Sequence, residues 1–340
     1  MTLPTVRLFL LGGTITMKKA PGENTSLSSS SGVVPAVNAD DLCRAVPGLD
    51  QVARLVARTD HMMASGNLTF QHAFDLAAEI RQAARTSDTD GGDTDGFVIV
   101  QGTDTLEEMA FILDCLLDIR QPVVVTGAMR SPAQLSADGP ANIMAAVTCA
   151  ASKAIGKAGV VVVMNDEIHS AAFVTKAHTA SIGAFQSPNT GPIGRLVEGQ
   201  PHLYVVPVQG PRLALLAGAD MPKVALIKAA FGDDGFLLNM VEKSDCQGLV
   251  IEAFGAGHLP ESYLAALDNM TDKIPVILSS RTGAGHIFQY TYGYKGAEMD
   301  LIKRGLIPSG LYNGLQSRLL LTLLLMSGAS HDDIKKTFAA

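Results

Sequence analysis

Phe97-Val98-Ile99-Val100-Gln101-Gly102-Thr103-Asp104-Thr105-Leu106-Glu107-Glu108 decides the fold. Four apolar residues stop at a polar residue and a glycine, then give way to a helical pattern from Leu106 to Leu117. A short apolar run of this kind reads as a buried strand feeding directly into a helix. Thr105 and Glu108 have capping-box spacing, which predicts Thr105 as the helix cap. Thr103 and Asp104 then stand just before the cap, where free N–H groups point at anything bound beyond the strand end. An aspartate there balances the helix dipole, and it also faces the crevice in which a ligand would sit.

The same alternation runs outward in both directions. Strands are expected at Val6 to Leu11, Phe97 to Val100, Pro122 to Thr126 and Gly159 to Met164, and again at Val224 to Ala229, Leu249 to Ala253 and Pro275 to Ser279. Helices are expected at Thr69 to Ala84, Leu106 to Leu117, Pro140 to Ala154, Pro260 to Asn269 and Asn313 to Ser327. Such a pattern is parallel βαβ construction with both sheet faces covered. The stretch from Gly194 to Pro222, rich in Pro and Gly and without sustained period, reads as a connection. The expected architecture is therefore α/β: a larger N-terminal domain with a mostly parallel sheet over 1–205, a linker over 206–220, and a smaller C-terminal α/β domain over 221–340.

Composition narrows the function. At 340 residues the chain has room for about two domains. With 47% hydrophobic and 17% charged residues it is neither disordered nor fibrous. A formal charge of -7 without any basic stripe excludes nucleic acid as an expected partner. The longest nearly unbroken apolar run, Leu319 to Met326, is far short of the ~20 residues a membrane span needs. The amino terminus, with one Arg and a brief apolar run before Gly12-Gly13, predicts a cytoplasmic chain or one already trimmed. Cys43, Cys115, Cys149 and Cys246 lack C-x-x-C spacing and read as buried free thiols. The eight His form no H-E-x-x-H, and no phosphate-cradling glycine motif follows a strand, so neither a metal nor another cofactor is expected.

Three places at strand ends carry residues suited to chemistry. The first strand ends in Leu11-Gly12-Gly13-Thr14-Ile15, where two glycines permit a sharp turn and the next residue offers a hydroxyl. The polar stretch Lys18 to Gly32, with Ser26 to Ser31 reading SLSSSS, suits a lid or an idle surface loop. Lys176, in the apolar and hydroxylated run Ala171 to Thr179 after Met164-Asn165-Asp166, suits a desolvated base or a packing partner of an aspartate. Threonine hydroxyls with a neighbouring base point to hydrolysis, because a weak nucleophile needs a proton acceptor and donors for the oxyanion. G-x-S-x-G is absent, which speaks against an α/β-hydrolase nucleophile.

These blocks resemble the bacterial-type L-asparaginase and glutaminase amidohydrolases. Leu11-Gly12-Gly13-Thr14-Ile15 is similar to that family's T-G-G-T-I signature, and Gln101-Gly102-Thr103-Asp104-Thr105 to its H-G-T-D-T signature. Thr126-Gly127-Ala128-Met129-Arg130, Ser136-Ala137-Asp138-Gly139-Pro140, Met164-Asn165-Asp166 and Val174-Thr175-Lys176 follow in the family's order. The resemblance implies a sandwich-like α/β domain followed by a smaller flavodoxin-like one. It also implies a homo-oligomer, a dimer of dimers, in which a neighbour's small domain closes the site. Carried over by motif, Thr14 is the nucleophile of the first strand end and Thr103 the second catalytic threonine. Asp104 holds the substrate's α-amino group, and Lys176 activates Thr103. Ser65, with Gly66 beside it, binds the α-carboxylate, and the Ala128 carbonyl receives the amide nitrogen.

The departures lie on the substrate side. Family lids carry a tyrosine near the first threonine, but the first tyrosine here is Tyr204, and Val33 stands near the lid position. Gly66 replaces a residue that is commonly polar. Gly255-Ala256-Gly257-His258 places His258 where the family's G-x-G-N pattern has the asparagine of the neighbouring subunit. Gln101 and Leu11 replace the His and first Thr of their signatures. The implied activity is hydrolysis of the side-chain amide of asparagine, or of a related small amide, with release of ammonia. Two alternatives stand beside it: a hydrolase of a non-asparagine amide, and a non-catalytic amino-acid-binding or regulatory protein of the same fold.

Overall fold

The computed structural model describes residues 2–19, 33–35, 41, 44–89 and 94–339. The chain divides into two compact units, Met1–Gly210 and Pro211–Ala340. Most of the lid stretch, from residue 20 to residue 32, and Cys43 lie outside the described residues.

The larger unit contains strands β1 (Thr5–Leu10), β2 (Met17–Lys19), β3 (Val33–Pro35), β4 (Arg54–Thr59), β5 (Gly96–Val100) and β6 (Val123–Thr126). They are followed by β7 (Val160–Met164), β8 (Glu167–Ser170), β9 (Thr175–Lys176), β10 (Phe185–Gln186), β11 (Gly194–Val197) and β12 (Gln200–Leu203). Its helices are α1 (Leu49–Val52), α2 (Phe70–Thr89), α3 (Leu106–Leu116) and α4 (Gly139–Ala150). Eight strands form one sheet in the order β12-β11-β8-β7-β6-β5-β1-β4. The run from β7 to β4 is parallel, and the three strands beyond β7 are antiparallel.

Sequence accounts for that change of sense. Strands β1, β5, β6 and β7 are apolar along almost their whole length and bury both faces. Val98 and Val100 pack with Ile143, Ala146 and Val147 of α4 on one face, while α2 and α3 lie together and α3 meets β6 and β7. Removing each such valine from water contributes about 1.5–3 kcal/mol, which makes these strands the most strongly specified part of the sheet. Between β7 and β8 the chain reverses at Asn165 and Asp166, with φ of 53° and 59°. A two-residue turn with positive φ at both positions matches the twist of an antiparallel hairpin, and asparagine and aspartate accept that conformation better than most side chains.

Strand β4, an edge strand of alternating half-buried and exposed residues, was not expected, because Arg54-Leu55-Val56-Ala57-Arg58-Thr59 lacks a continuous apolar run. Part of the stretch read as an irregular connection is also regular: β11 and β12 form a hairpin on the opposite edge of the sheet. The predicted capping box is a correction. Thr105 makes no capping hydrogen bond to α3, and its hydroxyl donates instead to the Ser65 carbonyl at 2.9 Å. A genuine box closes α8 of the smaller unit, where Asn313 and Gln316 each accept from the other's backbone N–H, at 2.9 and 3.2 Å.

The short pair β9 and β10 forms its own two-stranded sheet. Just beyond it, Ser187 Oγ lies 2.9 Å from Nδ1 of buried His169 on β8, tying the pair to the main sheet. Burial pushes the His169 pKa down, against the raising influence of nearby Glu167.

The smaller unit contains β13 (Val224–Lys228), α5 (Phe236–Glu242), β14 (Gly248–Ala253), α6 (Leu264–Met270), β15 (Val276–Ser280), α7 (Glu298–Lys303), β16 (Ile307–Pro308), α8 (Gly314–Met326) and α9 (His331–Ala339). Its four strands are parallel and lie in chain order. Right-handed crossovers that always step the same way place their helices on one face. Accordingly Leu249, Ile251 and Ala253 pack with Leu238 of α5, Leu267 of α6 and Leu301 of α7, while α8 lies against β13, β14 and β15. Among the described residues no helix is long and apolar enough to cross a membrane. Cys115 and Cys149 are buried free thiols as expected, but Cys246 is half-exposed. Burial, with the charge of Asp166, pushes the Cys149 thiol up to about 12.

Candidate active site

The ends of the adjacent strands β1 and β5 bring two threonine-bearing turns together. Leu11 N–H donates to the Val100 carbonyl at 2.9 Å, continuing the ladder one residue past β1. The chain then turns through Gly12 and Gly13, with φ of 102° and 98°. A Cβ on Gly13 would fall 2.3 Å from the backbone N of Gly102 and 2.4 Å from its Cα. The two turns therefore touch glycine to glycine, and each glycine is followed at once by a threonine. Thr14 opens a short 3-10 turn and is half-buried, and Thr103 opens another and is buried.

A third turn completes this side. Ser65 is buried in the 3-10 turn Ser65–Asn67, and its Oγ lies where a Cβ on Gly102 would come within 2.7 Å. The Thr105 hydroxyl, taken from its expected capping role, holds this turn through the Ser65 carbonyl. Gly66 is exposed, with open space where a side chain would stand. Gln101 is fully buried, and its amide nitrogen donates to the Gly102 carbonyl at 3.3 Å.

Lys176 arrives from β9, outside the main sheet. Its Nζ donates to Thr103 Oγ1 at 2.9 Å and to Asp104 Oδ1 at 2.7 Å. The lysine side chain is 16% exposed and the aspartate 78%, so the ammonium sits at the mouth of the site with one partner inside and one in solvent. Sequence left two readings open, a desolvated base and the partner of an aspartate, and the geometry puts Nζ within hydrogen-bond reach of both a hydroxyl and a carboxylate.

The loop after β6 forms a further wall. Ala128 is buried, and a Cβ on Gly139 would lie 2.8 Å from Ile15 Cγ1 and 3.4 Å from Ala128 Cβ, so the Thr14 turn and the Ala128 loop meet over Gly139. Asp138 holds this loop by accepting from Met129 N–H at 2.9 Å and Arg130 N–H at 2.8 Å. Asn142, one helical turn on, donates to the Gly127 carbonyl at 3.0 Å and accepts from Asn165 N–H at 3.0 Å. Neither residue was singled out from sequence, although an aspartate before Gly139-Pro140 at a helix start is a signal for a loop-binding carboxylate.

His258 lies in the smaller unit, among residues of that unit. Its Nδ1 is 3.1 Å from the Tyr294 hydroxyl, its Nε2 is 3.3 Å from buried Glu298, and its ring stands edge-on to Tyr292. Burial alone would raise the Glu298 carboxyl, but the N–H groups of Tyr292 and Thr291 and the nearby imidazole hold it below the usual range. Val33 belongs to β3, with its backbone opposite Lys19. No cluster of side chains suited to a metal occurs among the described residues. A cavity at the amino ends of β1 and β4, lined by Thr5, Val46, Leu49 and Arg54, contains none of the site residues.

This arrangement places the chain among the two-unit α/β proteins that carry hydroxyl-bearing turns at the carboxyl edge of a mostly parallel sheet. Residues 5–209 match the family described as Asparaginase, N-terminal, and residues 223–338 match the Glutaminase/Asparaginase C-terminal domain. The chain belongs to the asparaginase family. It is 35% identical over 341 residues to a probable L-asparaginase of Deinococcus radiodurans, covering 99% of this chain and 98% of that one. It is 31% identical to L-asparaginase 2 of Escherichia coli, over 99% and 93% of the two chains. Among solved structures, a probable cytoplasmic L-asparaginase from Campylobacter jejuni superposes with a TM-score of 0.84 at 28% identity, covering 99% of each chain.

Proposed function

We propose that this protein hydrolyses the side-chain amide of asparagine, releasing ammonia and leaving aspartate. The observation that carries this reading is Lys176 Nζ at 2.9 Å from Thr103 Oγ1, a hydroxyl and an amine paired beside a second threonine turn. A binding protein has use for Asp104, but a lysine spent on a buried hydroxyl does nothing for affinity, so turnover is favoured over binding alone.

In the proposed reaction Thr14 Oγ1 attacks the side-chain carbonyl carbon, and backbone N–H groups of the glycine-threonine turns hold the oxyanion. The C–N bond breaks and the amide nitrogen leaves as ammonia, taking up the proton that Thr14 gave to the Thr103–Lys176 pair, with an N–H directed at the Ala128 carbonyl. Water then cleaves the threonyl ester. Thr103 is the hydroxyl that carries the proton, and a neutral Lys176 accepts it, which reverses the donor sense of the present hydrogen bond. Asp104 meets the substrate's α-ammonium, and Ser65 with the Gly66 backbone meets its α-carboxylate. We assign this chemistry to residues 1–205, with 206–220 as linker and 221–340 as the smaller domain.

A homo-oligomer, a dimer of dimers, goes with this reading. Its support is the run of exposed large apolar side chains in the smaller unit, Phe231, Phe236, Leu237 and Met240. Phe236→Asp is expected to shift the protein toward smaller species in analytical ultracentrifugation, and an unchanged mass would remove that face from the interface. His258 is then the residue assigned to a second copy's substrate. A cytoplasmic location is proposed in keeping with the free Cys115, Cys149 and Cys246.

Ammonia release measured over L-asparagine, L-glutamine, their D-forms and small amides tests the reading. Hydrolysis of L-asparagine is expected. Release only from another amide would keep the chemistry and replace the substrate, and measurable binding without any ammonia would overturn the enzyme.

A further inference from the structure

Lys176 is held at both ends, by the 3-10 turn Thr103–Thr105 and by the first turn of α3. Its Nζ meets Thr103 and Asp104, and its backbone N–H donates to Glu107 Oε2 at 3.1 Å. Thr103 opens the 3-10 turn Thr103–Thr105 and Glu107 lies in the first turn of α3 that follows it, and Lys176 touches both, by its side chain and by its backbone. The preceding residue joins in, for the Thr175 side chain favours the ionised Glu107 carboxylate. Strand β9 is only two residues long and pairs with β10 alone, and its tie to the main sheet runs through the Phe173 and Val174 N–H groups on the Ser170 carbonyl, before Lys176 is reached. Beyond β10 the pair is anchored by Ser187 on His169, and at β9 it is anchored by Glu107.

We propose that Glu107 is the positioning residue that fixes Lys176 against Thr103, and that it does so as a carboxylate. It rests on the reading of Lys176 and Thr103 given above. An ionised carboxylate accepts from the Lys176 N–H through a charged oxygen, whereas the protonated acid offers only a neutral carbonyl oxygen, a weaker partner. Burial is the main influence on Glu107 and pushes its carboxyl above the usual range, opposed by the Thr175 and Lys176 hydrogen bonds. The charged groups that bear on it are Glu108, its neighbour on α3, and Lys176 across from it on β9. The pair therefore loosens as pH falls through the raised Glu107 pKa, and activity falls with it.

The test uses the full-length protein and five variants. Glu107→Gln keeps shape but loses charge and one acceptor, and a displacement of the lysine by a fraction of an ångström to 1 Å lowers kcat by about 10- to 100-fold. KM for asparagine is expected to change less than about threefold, since Glu107 is placed away from the substrate's charged groups. The acid limb of the wild-type rate profile should be lost in Glu107→Gln. It should move to lower pH in Glu108→Gln, which removes the neighbouring negative charge that raises Glu107. Lys176→Met and Thr103→Val separate the two readings. If both are inactive while Glu107→Gln keeps wild-type kcat and an unmoved acid limb, the positioning role is wrong. If either stays fully active, the lysine-threonine chemistry itself is wrong. Should Glu107→Gln fail to fold, Glu107→Asp keeps the charge but shortens the reach to the Lys176 N–H, and a wild-type kcat in that variant beside an inactive Lys176→Met overturns the proposal.

Discussion

Thr103→Val is expected to lower kcat/KM for asparagine by about 10³-fold while leaving the fold in place, within the range lost when a positioned proton carrier is removed. Valine has the shape of threonine, and the site is buried, with Thr103 at 6% exposure, so the methyl that replaces the hydroxyl fills the same space. What disappears is the acceptor 2.9 Å from Lys176 Nζ. The ammonium keeps its 2.7 Å bond to Asp104 and its access to water, so it is not left as a buried unpaired charge. The cost to stability is accordingly small, about 1 kcal/mol. Thr14→Ala should lose a comparable factor. The double variant should lose little more than either alone, because residues that act as a unit in one reaction are not additive. Steady-state ammonia release with a thermal melt on each variant decides this. A Thr103→Val enzyme within tenfold of wild type would remove Thr103 from the chemistry, and a double variant at the product of the two losses would mean that the threonines act independently.

The division between what sequence disclosed and what it did not follows the range of the interactions. Strands β1, β5, β6 and β7 were legible because a run buried on both faces must be apolar throughout, and composition alone carries that signal. Strand β4 was not, because an edge strand needs to satisfy only one face, and Arg54 and Arg58 break the run. Thr14, Thr103, Asp104 and Lys176 were legible through local motifs at strand ends. Their mutual geometry was not, because Lys176 reaches Thr103 across 73 positions of chain from a strand that pairs with only one other. Thr105 shows how a local rule loses to a tertiary one. Its spacing to Glu108 fits a capping box, yet the Ser65 carbonyl, 40 positions away, takes its hydroxyl. Glu107 was hidden for the same reason: in sequence it is an ordinary acidic residue in the first turn of a helix, where the dipole alone explains it.

Gly13→Ala is expected to damage both stability and turnover severely. The backbone there has φ of 98°, outside the region that a side chain tolerates, and this alone costs about 1–3 kcal/mol. The new Cβ would also lie 2.3 Å from Gly102 N and 2.7 Å from Gln101 C, both backbone atoms that no rotamer change can move. Relief requires the β1 and β5 turns to separate, which breaks the contact that sets Thr14 beside Thr103. Stability should fall by about 3 kcal/mol or more, a melting shift of about 6–12 °C or more for a unit of this size. Turnover should drop by about 10²-fold or more even at temperatures where the variant is folded, because the two threonine turns no longer share one geometry. Gly66→Ala provides the contrast. That position lies in open space with no positive φ, so its melting point should stay within about 1–2 °C of wild type, as for other surface substitutions. Equal melting points for the two variants would show that the turns at the ends of β1 and β5 are not in contact, and the placement of Thr14 beside Thr103 would fall with it.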